Sequence, residues 1–245
     1  MVIPNPDLTS SLHKFLDDYE KLQLSRTDQS KTEIALPDIN LLSNFLSSIM
    51  MPLERVRTSA WNFDPWEVAG LGRDEVKNTS VLAWLLNPRG SHGMGSAVLQ
   101  NLLSYINKQK NYFPVSAGNI CNVRTEICPN GDLSDRLDIE IDASNFYMII
   151  EVKISATEGK EQLNRYGRLA ETQKAYRPWA LIYLTPKKKE SKTGDSYTDS
   201  IINMSWDEIA RIIDKSIPEP PETPSQSWYA ANHAVILFAK HIRNH

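Results

Sequence analysis

The chain has 245 residues, of which 41% are hydrophobic and 23% are charged, and its formal net charge is −3. This length and composition predict a globular chain with a sizeable core, and the net charge gives no overall attraction to nucleic acid. The N-terminus lacks a basic and apolar leader, and apolar runs such as 179–184 are too short to span a membrane. We therefore expect a cytoplasmic protein whose two cysteines, Cys121 and Cys128, are reduced.

Two helices are predicted in an N-terminal extension, residues 1–60. Residues 7–24 carry a helical apolar stripe, and a second amphipathic helix runs from a cap at Asp38 through Met51. Nothing in these helices indicates a chemistry. They are interpreted as a packing extension, or as a surface for a homodimer or for a protein partner.

A third helix, residues 73–86, carries an acid on its apolar face. Glu75 lies on the same side as Thr79 and Leu82, because these positions are about one and two helical turns apart. A carboxylate on such a stripe points into the protein or into a cleft. The alternative is an acid that is simply favoured by the dipole at the start of a helix.

Residues 135–154 are predicted to form an antiparallel hairpin with its turn at Ser144 and Asn145. The first half alternates apolar and acidic residues, and the second half is almost continuously apolar. A turn centred there pairs Asp138 with Glu151, whose Cβ atoms would be about 5 Å apart on one face of the sheet. The apolar members of the alternation are Leu137, Ile139 and Ile141, and the acidic members are Asp138, Glu140 and Asp142.

Paired carboxylates at Asp138 and Glu151 predict a divalent cation between them, since hard oxygen ligands suit Mg²⁺ or Mn²⁺. The alternative is an ordinary solvated face of the sheet. That alternative accounts for the acids of the first strand. It does not account for Glu151 and Lys153, which interrupt the apolar second strand.

The rest of the chain completes an α/β pattern. A helix over 158–176 places Gln162 and Tyr166 one turn apart on one face, and a buried strand, 179–185, follows it in parallel with the second hairpin strand. A short strand and a helix capped by Ser205 come next. We expect a mixed sheet of four or five strands with helices on both sides, in a core over residues 61–216. A proline-rich linker over 217–227 then leads to a C-terminal helix, 228–245, that packs on the core.

The order of Asp138, the triplet Glu151-Val152-Lys153 and Gln162-x-x-x-Tyr166 resembles the PD-(D/E)XK nuclease superfamily, although Leu137 stands where the proline of its name would be. The resemblance covers most of residues 73–186 and looks closest to a bacterial branch whose first helix reads like residues 75–88. It implies a restriction-endonuclease-like α-β-β-β-α-β core and metal-dependent hydrolysis of nucleic acid, with DNA as the expected polymer and restriction or phage defence as the expected setting. The implied catalytic residues are Glu75, Asp138, Glu151, Lys153, Gln162 and Tyr166, of which Asp138, Glu151 and Glu75 would hold Mg²⁺ or Mn²⁺.

Two alternatives remain open within this resemblance. One is a nucleic-acid-binding or protein-interaction module that has kept the fold and lost the chemistry. The other is a junction resolvase, which would require a dimer. The charge distribution is compatible with a nuclease, since residues 132–151 have a net charge of −5 and residues 153–192 a net charge of +6.

Overall fold

The computed structural model describes Asp17, residues 38–58, 63–128 and 131, and residues 136–245. Contacts divide the chain into two units, Met1–Phe63 and Asp64–His245. In the first unit the described element is helix α1 (Ile39–Thr58), and Asp38 accepts the backbone N–H of Asn40 at 2.9 Å, as a helix cap does. Apart from Asp17, the predicted helix over residues 7–24 falls outside the described residues.

The second unit is built on a five-stranded mixed sheet in which the strands lie side by side in chain order. The first strand pairs antiparallel with the second and the second with the third, whereas the third pairs parallel with the fourth and the fourth with the fifth. This arrangement confirms the predicted mixed α/β sheet. The strands are β1 (Cys121–Ile127), β2 (Leu137–Ala143), β3 (Phe146–Val152), β4 (Trp179–Thr185) and β5 (Ile201–Ser205).

The β2–β3 hairpin has the predicted register. Asp142 pairs with Tyr147 and Ile139 with Ile150, so the side chains of Asp138 and Glu151 emerge on the same face. Leu137 is an exception to the predicted alternation, because it packs with the cluster on the other side of the sheet from Ile139. The departure coincides with a local break in the β1–β2 ladder, where Glu126 has a φ of 54°.

Helices cover both faces of the sheet. Residues of α3, α4, α6 and α7 share one apolar cluster with Ile139, Ile150 and Ile182, whereas α5 packs on the other face against Ile149 and Leu181. The bounds in this unit are α2 (Pro65–Val68), α3 (Glu75–Leu86), α4 (Ala97–Gln109), α5 (Gln162–Gln173), α6 (Trp206–Ser216) and α7 (Gln226–Ile242). The C-terminal helix therefore buries its apolar face in the same core as α3.

Helix α5 begins four residues later than predicted. Glu161 has a φ of 53°, so the backbone enters the helix only at Gln162. Glu158 remains outside the helix and accepts the backbone N–H groups of Lys192 and Thr193 at 2.8 and 2.7 Å. This carboxylate fixes the loop after β4 beside the start of α5.

Both cysteines are free. Within the described part of the chain, the helices are too short or too polar to cross a membrane.

Candidate active site

One open cleft of about 250 Å³ lies at the carboxyl end of β3. It brings together every side chain that the sequence predicted for the site: Glu75, Asp138, Glu151, Lys153, Gln162 and Tyr166. They come from four elements, because α3, β2, the end of β3 and the first turn of α5 all meet at this edge of the sheet.

Asp138 and Glu151 form the acidic centre of the cleft, in which Asp138 is partly buried and Glu151 is buried. Asp138 Oδ2 accepts the backbone N–H of Val152 at 2.7 Å, and Glu151 is only 1% exposed. Glu151 Oε1 receives two donors, Lys153 Nζ at 2.5 Å and Gln162 Nε2 at 2.6 Å. Its other oxygen, Oε2, is buried without a partner among the described residues when both acids are ionised.

Burial disfavours the charged form of both acids. Burial and the negative charge of Asp138 together raise the pKa of Glu151 to about 8, although the adjacent Lys153 ammonium opposes the increase. Burial also raises the pKa of Asp138, although the Val152 N–H opposes it. The two carboxyls lie close enough to share a proton, so the site needs either that proton or an added cation.

Lys153 is the cation in direct contact with this pair, and its side chain is only 13% exposed. Burial alone would lower the pKa of the Lys153 ammonium, but the adjacent Glu151 and Asp138 outweigh burial and raise it. The ammonium is therefore held in its charged form at the centre of the cleft.

Gln162 and Tyr166 extend the hydrogen-bond network from α5. Gln162 Nε2 contacts the Tyr166 hydroxyl at 3.1 Å as well as Glu151, and Gln162 Oε1 accepts the Gly159 N–H at 2.9 Å. The Tyr166 hydroxyl donates to the carbonyl of Arg136 at 2.7 Å. Because both ends of its amide are held, Gln162 fixes the orientation of the Glu151 carboxylate.

Glu75 enters the cleft from the first turn of α3. Asp74 caps this helix by accepting the Lys77 N–H at 3.1 Å, and Glu75 Oε2 accepts the backbone N–H of Ile154 at 2.6 Å. The Glu75 carboxylate is thus hydrogen-bonded to the backbone of the residue that follows Lys153.

A family model described as the PD-(D/E)XK nuclease superfamily matches residues 63–233. The chain belongs to the PD-(D/E)XK nuclease superfamily. No curated protein and no solved structure matches it. Membership confirms the resemblance and the restriction-endonuclease-like fold, and it indicates a function of the nuclease type.

PD-(D/E)XK nucleases generally use divalent metals, and the donor set of this cleft fits such an ion. Asp138 and Glu151 offer hard oxygen ligands, and Glu151 Oε2 is a buried acceptor without a partner among the described residues. Mg²⁺ needs only one or two protein carboxylates, since it keeps several waters. Among the described residues, no group of three or more His, Cys, Asp or Glu side chains is arranged to hold a metal ion, and Glu75 as a third ligand stays a prediction.

Three further residues at this PD-(D/E)XK site were missed by sequence reasoning. Arg136 lines the cleft, and its guanidinium contacts Glu126 at 2.9 Å. Trp206 donates to the Lys153 carbonyl, and Arg73 donates to the Ile154 carbonyl and to the Ser155 hydroxyl, both from outside the motif. The sequence gives one indication that Arg136 lies at the site, namely its position two residues before Asp138. It gives no indication that Arg73 or Trp206 lies there.

Proposed function

We propose that this chain is a metal-dependent nuclease that hydrolyses phosphodiester bonds in nucleic acid, with DNA as the substrate. The observation that supports it best is the adjacent pair of buried Glu151 and partly buried Asp138, with Lys153 in contact with Glu151. Glu151 is buried and Asp138 is partly buried, and adjacent carboxylates in such positions repel each other and lose hydration. A purely structural role does not account for that cost. DNA, and a setting in restriction or phage defence, follow from the superfamily resemblance.

Each residue of the cleft has a role in this proposal. Asp138 and Glu151 would hold Mg²⁺ or Mn²⁺, which when bound lowers the pKa of water and offsets negative charge on a phosphate. Lys153 presents a protonated amine beside that position and stabilises the charge that develops on the phosphate oxygens. Gln162, which also contacts Tyr166, binds Glu151 Oε1 and leaves Oε2 without a partner among the described residues.

The loop after β4 supports a path for the polymer beside the cleft. Lys187, Lys189 and Lys192 are exposed in it, and Glu158 holds the loop against the start of α5. Lys188 instead forms an ion pair with Glu208, since its ammonium contacts that carboxylate at 2.8 Å. The basic character of residues 153–192 is thus carried on this side by three lysines, a charge pattern suited to a phosphate backbone.

The decisive experiment compares the wild type with Asp138→Ala, Glu151→Ala and Lys153→Ala on circular, linear and single-stranded DNA with Mn²⁺. Both carboxylate variants should lose cleavage, because each removes an oxygen ligand. Lys153→Ala should lose about a hundredfold in rate, which corresponds to about 3 kcal/mol of transition-state stabilisation. All three should stay folded and bind DNA, and Asp138→Ala should bind at least as well as the wild type.

Matched controls test whether any loss is specific. Asp142→Asn removes another acid of β2, the strand that carries Asp138, and this acid pairs with Arg177. Lys174→Ala removes a lysine that pairs with Glu171. Both should cleave like the wild type. A wild type that binds DNA but never cleaves it would favour the binding module, and undiminished cleavage by Asp138→Ala and Glu151→Ala would place the chemistry elsewhere.

A further inference from the structure

We propose that Arg73, Glu75 and Trp206 are positioning residues that clamp the backbone carrying Lys153, and that Glu75 acts there as a hydrogen-bond acceptor rather than as a metal ligand. The proposal rests on the nuclease function proposed above. It assigns roles to two residues that lie outside the motif, and it changes the role that the superfamily resemblance implies for Glu75.

The polar backbone groups of Lys153 and Ile154 all have partners. Lys153 N–H donates to the Leu184 carbonyl at 2.8 Å, and the Lys153 carbonyl accepts Trp206 Nε1 at 3.1 Å. Ile154 N–H donates to Glu75 Oε2 at 2.6 Å, and the Ile154 carbonyl accepts Arg73 Nη2 at 2.7 Å. The backbone is therefore held by β4, by the start of α6 and by the segment that enters α3.

These contacts lie directly after the end of regular strand pairing in β3. Strand β3 ends at Val152, so the residue that bears the ammonium is the first one beyond the regular ladder. Arg73 extends the contact by one more residue, because its Nε donates to the Ser155 hydroxyl at 3.1 Å. A shift of about 1 Å at a reacting group can cost on the order of a hundredfold in rate, so fixing this backbone has catalytic value.

Two of the clamping side chains are themselves firmly placed. Trp206 is 1% exposed and is the first residue of α6, directly after the Ser205 cap. Glu75 is the first residue of α3, directly after the Asp74 cap. Each cap fixes the helix start from which the clamping group reaches the Lys153 backbone.

Comparison of Glu75→Gln with Glu75→Ala distinguishes an acceptor from a metal ligand. Glutamine keeps a side-chain oxygen for the Ile154 N–H but removes the charge. We expect Glu75→Gln to keep kcat within about threefold and to bind Mn²⁺ as tightly as the wild type, whereas Glu75→Ala should lose about tenfold or more in kcat with KM little changed. Equal inactivity of the two variants, with weaker Mn²⁺ binding in calorimetry, would overturn the proposal in favour of a metal ligand.

Two substitutions test the other members against matched controls. Trp206→Phe removes the indole N–H, and its control is Trp66→Phe, because Trp66 Nε1 donates to the Ala234 carbonyl at 2.7 Å, away from the cleft. Arg73→Met removes the guanidinium, and its control is Arg177→Met, because Arg177 binds the Ala143 carbonyl at the turn end of the same hairpin.

For Trp206→Phe and Arg73→Met we expect kcat to fall by about tenfold with KM within about twofold, measured on folded protein. The two control variants should lose stability to a similar extent and keep kcat. An unchanged kcat in both test variants, or equal losses in test and control variants, would overturn the clamp as a catalytic device.

Amide hydrogen exchange tests the clamp without any cleavage assay. In the metal-free wild type the Ile154 N–H should be protected, and the protection should persist in Glu75→Gln and disappear in Glu75→Ala. A wild-type Ile154 amide that exchanges freely would overturn the clamp even in an active nuclease. Absence of cleavage by the wild type would instead overturn the proposed function, and the Ile154 protection would still decide whether the clamp exists.

Discussion

Arg136 is a charged residue at the mouth of the cleft whose role is not assigned by the motif. Its guanidinium contacts Glu126, while its backbone carbonyl accepts the Tyr166 hydroxyl. Glu126 adopts a φ of 54°, which costs a non-glycine residue on the order of 1 kcal/mol and is often found at functional sites. The Arg136 side chain lines the cleft and is half exposed, whereas that of Lys153 is only 13% exposed, so under the proposed function Arg136 is a second cation that an incoming phosphate can contact.

We predict that Arg136→Gln weakens DNA binding and raises KM by about five- to tenfold, because one phosphate contact is worth about 1–1.5 kcal/mol. The kcat at saturating DNA should change little. The slope of log affinity against log salt concentration should become shallower by about one contact. Filter binding at several salt concentrations, together with steady-state kinetics, would measure both effects.

Arg124→Gln is the matched control for Arg136→Gln. Arg124 is also about half exposed and pairs with an acid of β2, since its Nε donates to Glu140 at 2.6 Å. It lines a different cavity, beside Arg89 and Asn122. Equal effects of the two substitutions on KM would show that Arg136 acts only through the net charge of the protein.

At the scale of elements, the start of α6 connects local helix stability to the site. Ser205 and Glu208 form a reciprocal capping box, in which Glu208 N–H donates to Ser205 Oγ at 3.2 Å and Ser205 N–H donates to Glu208 Oε2 at 2.8 Å. The other Glu208 oxygen accepts Lys188 and the Tyr105 hydroxyl. One carboxylate therefore links α6, α4 and the loop after β4.

Ser205→Ala should lower the free energy of unfolding by about 0.5–2 kcal/mol, as loss of an N-cap usually does. Urea denaturation followed by tryptophan fluorescence would measure it. Ser225→Ala, at the cap of α7, is the comparison, because Ser225 makes a single 3.1 Å bond to Trp228 N–H. Ser205→Thr should recover most of the lost stability. If Ser205→Ala is as stable as the wild type, the Ser205 side chain does not contribute to capping α6.

At the scale of the whole molecule, an acidic chain must attract an acidic polymer. The net charge of −3 would repel such a polymer, so the attraction must come from a local group of positive charges. The exposed lysines of the loop after β4 lie on the side of the sheet edge where the cleft opens, since β3 and β4 are parallel and end together. This juxtaposition follows from topology.

Replacing Lys187, Lys189 and Lys192 by Gln should weaken DNA binding and flatten its salt dependence by up to about three counterions. The control replaces Lys108, Lys110 and Lys215, which changes the net charge by the same amount at the ends of α4 and α6. Affinity measured across a salt series should separate the two sets. A salt-independent wild-type affinity, or equal losses in both sets, would mean that the loop is ordinary solvated surface.

The sequence by itself determined the hairpin, its register and the chain order of the strands. Those features depend on short-range physics: side chains alternate with a period of two, a turn needs polar residues, and a slip by one residue would bury Asp138, Glu140 and Asp142 on the apolar face. The same local logic identified the Ser205 cap and the shared face of Gln162 and Tyr166. The resemblance to the superfamily supplied the full set of six predicted site residues, which the fold collects in one cleft.

Only the tertiary structure decided what each of these groups contacts. The bond from Ile154 to Glu75 spans 79 residues, and the bond from Trp206 to Lys153 spans 53. No periodicity or motif encodes such pairs, because they depend on how α3 and α6 pack over the sheet. The contact of Lys188 is another such case. The sequence places Lys188 in the basic tract, but in the structure its ammonium pairs with Glu208. A side chain's type and spacing can be read along the chain, but its hydrogen-bond partner is selected in three dimensions by the need to satisfy every buried polar group.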